Sequence, residues 1–197
     1  MNYNVTIHTN GGSYMKRCFW AKHSDIEKEY HDTEWGVPCY DDRMLFEMLN
    51  LEGQQSGLSW KTILQKRKSY REAFYNFNPD KIVEINEEEI ESLLLNPGII
   101  RYRLKIEAII KNAHAYIKLR EESTLSDYLW KFVNNEVIVN DIGPDTVFLT
   151  QTKISQEISK DLKKRGFAFV GPTTIYAFMQ AVGMVNDHEN DCFRKEV

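Results

Sequence analysis

LLLNPGIIRYRLK, residues 93–105, ends one helical pattern and begins another across Asn96-Pro97-Gly98. Proline has no N–H to continue a helix and glycine tolerates a sharp reversal, so the segment reads as a tight turn between two helices. Downstream, Ile106, Ile109, Ile110, Ala113, Tyr116 and Leu119 recur at helical spacing and predict a long helix. Upstream, Asn86 precedes a glutamate-rich first turn, where the helix dipole favours anions, so the acidic run has a structural explanation. The second helix starts near Arg101, Arg103 and Lys105. Bare amides at a helix N-terminus, flanked by cations, suit a phosphate of a nucleic-acid backbone. An ordinary helix–helix turn uses the same Pro-Gly, and at this point both readings stand.

Helix signals extend in both directions. Ser24 with Glu27 forms a capping-box pattern for a short helix ending near His31, and Asp41 caps a second helix through Leu45, Phe46, Met48 and Leu49. Ser59 caps a third, whose apolar face Ile63, Leu64, Tyr70, Ala73, Phe74 and Phe77 runs until Asn78-Pro79 stops it. Further helices are expected around 125–134, 155–165 and 172–184. Residues 135–152 read as an irregular connection in which Val137 and Val139 suit a short strand. The expected fold is mostly α, a single helical domain over 15–197. Residues 1–14, MNYNVTIHTNGGSY, lack helical period and precede Met15, and they read as a flexible or alternative-start extension.

Composition sets the frame. The 197 residues suffice for one core, and 42% apolar with 27% charged residues excludes collagen-like, mucin-like and globally disordered chains. Cys18, Cys39 and Cys192 are three and far apart, which disfavours a disulfide framework and favours a reducing, cytoplasmic setting. The uncharged stretch 166–186 contains Gly171-Pro172 and several polar residues, so a turn and buried helix is expected there rather than a membrane span. A net charge of −4 argues against wholesale coating of nucleic acid. Residues 61–71 nonetheless carry five cations and no anion, so a basic face or a solvated helix face is available.

Two further groups can carry chemistry. Cys18, His31, His188 and Cys192 are all metal-capable. His188 and Cys192, four apart, point the same way if they lie on a helical turn. Two ligands from each chain end would complete a tetrahedral zinc site, although Cys-x12-His with His-x3-Cys is not a standard finger spacing and unconnected side chains remain the alternative. His8, His23 and His114 have no such partners and read as surface residues. LEGQQSGLSW, residues 51–60, places a carboxylate, two amides, two glycines and an indole together. That composition suits a binding loop better than a core helix, with a simply solvated Glu52 as the alternative.

RCFW at 17–20, YHDTEWGVP at 30–38, LFEMLNLEGQQSGLSW at 45–60, NPGIIRYRLKIEAIIKNA at 96–113 and LKKRGFAFVGPTTIYAFMQAVGMVNDH at 162–188, followed by Cys192, occur in order. Together they resemble the type I 3-methyladenine DNA glycosylases of the helix-hairpin-helix superfamily, from about Met15 to the C-terminus. The resemblance implies a helical enzyme that flips 3-methyladenine out of alkylated double-stranded DNA, hydrolyses its N-glycosidic bond and releases the free base. It also implies one structural zinc per chain, held by Cys18, His31, His188 and Cys192 and joining the N- and C-terminal segments. Glu52, the catalytic candidate, and Tyr30 would contact the base; Trp60 would stack on it and Trp20 would stand in the pocket wall. Leu58, next to Gly57, would wedge into the base stack, and the 96–101 turn, with Gly98, Arg101 and Arg103, would hold the DNA backbone. A monomer without membrane attachment is expected.

Two departures accompany the resemblance. Glu27 stands where the family places a second pocket tyrosine, three residues before Tyr30. The superfamily's usual catalytic aspartate has no clear match, Asp127 being the nearest. Methylation at N3 explains how this is tolerated: the cationic adenine leaves as a neutral base, so binding and orientation can supply most of the rate. Two rival readings account for less of the sequence. A non-catalytic hairpin protein with a zinc clip leaves Glu52 and the tryptophans without a task. A zinc hydrolase needs an open metal position, which a full Cys2His2 set lacks.

Overall fold

The computed structural model describes residues 15–196, so the extension 1–14 lies outside the described residues. The chain forms α1 (Asp25–Thr33), α2 (Asp42–Gln55), α3 (Trp60–Ala73), α4 (Pro79–Ile82), α5 (Glu87–Leu95), α6 (Arg103–Arg120), α7 (Leu125–Trp130), α8 (Lys153–Lys164) and α9 (Pro172–Ala181). The fold is thus mostly helical. One short parallel pairing, β1 (Ile138–Val139) on β2 (Val185–Asn186), ties the irregular connection to the segment after α9.

Helix starts follow local chemistry. The Asp41, Ser59 and Thr124 side chains each accept an amide of the following first turn, and Asn86 with Glu89 makes a full reciprocal capping box. The Ser24 box is incomplete: its hydroxyl bonds the Glu27 carboxylate at 2.5 Å and caps no amide. α3 stops at Ala73, earlier than its apolar spacing predicts, because residues 75–77 adopt positive φ; Pro79 then opens α4 rather than closing α3. Proline suits that first position, where its missing N–H would have no partner.

The core is a continuous cluster in which α2 is central, packed against α3, α6, α7 and α9. Leu45, Phe46, Leu49 and Leu51 of α2 are fully buried, as are Ile109 of α6 and Phe178 of α9. Several polar groups inside tie the helices together. Asn112 of α6 bonds Asn50 of α2 and both backbone groups of Ala168, which fastens the 165–171 loop over α2. Glu47 of α2 receives Arg67 and Arg71 from α3, and Arg67 also reaches Glu34 after α1. Two of the five cations in the 61–71 run therefore serve packing rather than a solvated face. Among the described residues, no helix is long and apolar enough to cross a membrane.

Candidate active site and metal centre

Adjacent residues on an α-helix point about 100° apart, and α1 uses this to serve two sites. Tyr30 turns into a cavity of about 370 Å³, while its neighbour His31 turns into a cluster of cysteine and histidine. The cavity is lined by Trp20, Tyr30, Trp35, Glu52 and Trp60, with Glu27, His23 and Phe148 among the residues that complete its wall. Tyr30 and Trp60 rings lie 5.5 Å apart between centroids, Trp20 and Tyr30 6.3 Å, Trp20 and Trp35 5.1 Å. These are ring edges and faces arranged around an opening wide enough for a flat, aromatic guest.

Two buried acids line this cavity, Asp187, bonded by Asn140, Tyr176 and Gln180, and Glu52. The run 51–60 is not the binding loop that its composition predicts: α2 continues to Gln55, so Glu52 and Gln54 are helical and buried, and only 56–59 form the turn. Glu52 is 5% exposed, and burial pushes its carboxyl up to about 8, so it is not the solvated glutamate of the alternative reading. The Tyr30 hydroxyl and the Trp60 indole N–H are buried without a hydrogen-bond partner. Buried orphans of this kind are costly, and two such groups in one cavity, beside a buried carboxyl, suit a ligand that supplies the partners. Burial, then the nearby Glu52 and Glu34, push the Tyr30 phenol well above its ordinary range.

The turn after α2 carries Gly57 at φ +78°, a conformation glycine adopts without strain, and Leu58 follows at 37% exposed. Gly98 also needs to be glycine, for a different reason: an added Cβ would lie 2.7 Å from the Ser69 Cβ of α3 and 2.9 Å from Asn96 Oδ1. The 96–102 turn thus sits directly on α3. Its Gly98 amide is already bonded to Asn96 Oδ1, and Ile100 N–H to the Tyr70 hydroxyl. The cations differ too. Arg101 is exposed, whereas Arg103 pairs with Glu87, Glu91 and Glu107, and Lys105 is buried. Asp127 is exposed in the first turn of α7 and does not line the cavity.

Beside the cavity, Cys18, His31, His188 and Cys192 bring one ligand atom each to within 4.8 Å of one another, all buried. Cys18 Sγ lies 3.4 Å from His188 Nδ1, and Cys192 Sγ 3.4 Å from His31 Nε2 and 3.6 Å from His188 Nδ1. Tetrahedral Zn–S and Zn–N bonds of ordinary length separate S and N by about 3.5 Å, so the donor set fits a zinc ion. The other His31 nitrogen faces Asp32, itself held by Arg17, and amides of Glu189 and Arg194 point at the two sulfurs. Residues 188–192 are loop and turn rather than helix; the i, i+4 convergence comes from the fold, not from helical phase. Gly36, at φ +79°, leaves room for the His188 ring, which a Cβ would meet at 2.7 Å. His23 and His114 are exposed, as expected, though His23 stands at the cavity rim; His8 lies outside the described residues.

Trp35, Phe148, Gln180 and Asp187 of the cavity wall were not anticipated. Trp35 sits inside the quoted YHDTEWGVP segment, and Gln180 and Asp187 inside the quoted 162–188 segment, which is the signal available for them; Phe148 comes from the irregular connection, where no periodicity points inward.

The sequence profile of the family described as Methyladenine glycosylase matches residues 20–195. The chain is 51% identical to the DNA-3-methyladenine glycosylase of Haemophilus influenzae, covering 89% of this chain and 96% of that protein. It is 48% identical to DNA-3-methyladenine glycosylase 1 of Escherichia coli K12, covering 90% and 96%. A crystal structure of 3-methyladenine DNA glycosylase I superposes with a TM-score of 0.88 at 47% identity, over 91% of this chain and 99% of that one. The Staphylococcus aureus enzyme, in a structure described as the basis of its 3-methyladenine recognition, does so with 0.88 at 37% identity, over 93% and 98%.

Proposed function

The chain belongs to the methyladenine glycosylase family, and on that premise we propose how its own residues perform base removal. The activity is that of a DNA-3-methyladenine glycosylase: it recognises the damaged base in DNA and hydrolyses its N-glycosidic bond in repair. The observation that carries the reading is the cavity itself, with a buried glutamate and two unpartnered donors, Tyr30 and Trp60, inside an aromatic wall.

In this reading the 3-methyladenine is extruded from duplex DNA into the cavity, with Leu58 filling the gap left in the stack. Trp60 and Tyr30 offer π-faces to the cationic purine and polar atoms to its edge. In the empty site Glu52 holds its proton at neutral pH; a positive guest offsets the cost of the buried charge, so binding releases the proton and leaves a carboxylate against the cation. The base departs neutral and needs no acid. Orientation of the base and charge complementarity lower the barrier, and water completes the hydrolysis.

The α5–turn–α6 unit acts as a helix-hairpin-helix clamp on the DNA backbone, with Arg101 as its free-standing cation. Zinc is structural: Cys18, His31, His188 and Cys192 fill four positions, and the ion supplies no chemistry beyond joining the chain ends beside the pocket. Incubation with methylated duplex DNA should release free 3-methyladenine, resolved by chromatography. DNA binding without any free base would overturn the reading.

A further inference from the structure

Lys105 lies in the first turn of α6, yet it is only 6% exposed. Its ammonium donates to the Gln54 carbonyl at 2.7 Å and to the Ser56 carbonyl at 2.8 Å. These are acceptors at the C-terminal end of α2, where helical carbonyls run out of partners and the dipole is negative. The Gln54 side chain answers in return: its amide donates to the Lys105 carbonyl at 2.9 Å, and its oxygen accepts from the Tyr70 hydroxyl at 3.0 Å. That hydroxyl in turn accepts from Ile100 N–H at 3.0 Å. One buried chain of hydrogen bonds therefore runs from the 96–102 turn, through α3, to the end of α2 and the turn carrying Gly57 and Leu58.

A buried ammonium bonded to carbonyls rather than to a carboxylate is an expensive arrangement, and burial pulls its pKa down. Methionine would fill the same space without that cost. What the ammonium contributes is a fixed position for carbonyls 54 and 56, and so for the turn in which Leu58 N–H closes on the Gln55 carbonyl at 2.7 Å. We propose that Lys105 is a positioning residue that locks the Leu58 turn to the 96–102 turn, so that the group entering the base stack and the group holding the backbone move as one rigid jaw. The inference rests on the proposed roles of Leu58 and the hairpin. Lys105 touches neither the base nor the reacting atoms; it acts on extrusion through Leu58.

The test compares two duplexes carrying 3-methyladenine, one fully paired and one with an abasic site opposite the lesion, where little stacking or pairing opposes extrusion. Lys105→Met should lower kcat/KM on the paired duplex by roughly tenfold, the scale of a misplaced positioning group. On the abasic-opposed duplex, and in free 3-methyladenine affinity, it should stay within about twofold of the parent. In a Leu58→Ala background the Lys105 effect should vanish, since coupled residues are not additive. Equal losses on both duplexes, or none, would overturn the proposal by reducing Lys105 to a packing role. If Leu58→Ala alone leaves the ratio between duplexes unchanged, the role of Leu58 fails and the Lys105 inference with it. Should Lys105→Met not fold, Lys105→Gln, which keeps a donor but loses the charge, carries the same comparison with the same outcomes.

Discussion

Glu52 places one carboxyl where burial opposes its charge, and that conflict gives it two measurable signatures. A carboxyl raised from its ordinary value to about 8 binds a proton in the folded state that the unfolded chain would release. Folding stability therefore falls as pH climbs from the usual carboxylate range through about 8, by at most about 5 kcal/mol for a displacement of this size. Glu52→Gln should then melt higher than the parent at pH 8 and nearly alike at pH 4, measured by thermal unfolding. The same substitution should weaken both free 3-methyladenine binding and excision, because it removes the charge that opposes the cation while preserving shape. In the parent, excision should rise with pH and level off near 8, since below that value the guest must displace a proton; the Gln variant should lose the rise. A variant that binds the base normally and does not cut would instead assign Glu52 to activation of water. The identity of this residue was legible in the sequence as one polar group in an unusual ten-residue run. Its environment was not, because helical continuation through Gln55 depends on α2 being enclosed by its neighbours.

Elements constrain one another most tightly where α3 meets the 96–102 turn. Gly98→Ala puts a methyl group 2.7 Å from Ser69 Cβ, and overpacking of this kind costs about 1–3 kcal/mol or shifts the turn. Duplex affinity should fall while free-base affinity holds, and Ser69→Gly, which removes the two nearest obstructing atoms and leaves Asn96 Oδ1, should restore part of the duplex binding in titrations. The arginines of the same segment should separate. Arg101→Ala should weaken duplex binding alike for all sequences and flatten its salt dependence by about one charge. Arg103→Ala should leave the salt slope nearly unchanged, because its charge is already shared among Glu87, Glu91 and Glu107. Binding titrations across ionic strength distinguish the two. Pro97-Gly98 and the Asn86 cap were readable because turn and cap preferences are local; the carboxylates around Arg103 were not, because two of them lie on the preceding helix and approach it only when α5 folds back on α6.

Across the whole molecule, the cysteine–histidine cluster joins chain ends that are far apart in sequence and stands against the wall of the base cavity through His31 and Tyr30. Metal analysis should find one zinc per chain. Cys192→Ser should lose it, lowering Tm by roughly 10 °C, as expected for about 3 kcal/mol in a domain of this size. Base affinity should fall with it, since α1 carries a ligand and a pocket residue side by side. Full stability and base binding without metal would count against this role. The sequence alone determined the helical class, most helix starts and the turn between α5 and α6, because capping and periodicity act over a few neighbours; it offered Cys18, His31, His188, Cys192 and Glu52 as candidates, with unconnected side chains and a solvated glutamate as the alternatives. The tertiary structure alone decided that Glu52 is buried, that Arg103 is shared among carboxylates while Arg101 is exposed, that Phe148 and Trp35 wall the cavity, and that Lys105 points inward to α2. Those properties depend on which distant segments meet, and burial, charge pairing and unpartnered donors come into being only at such meetings.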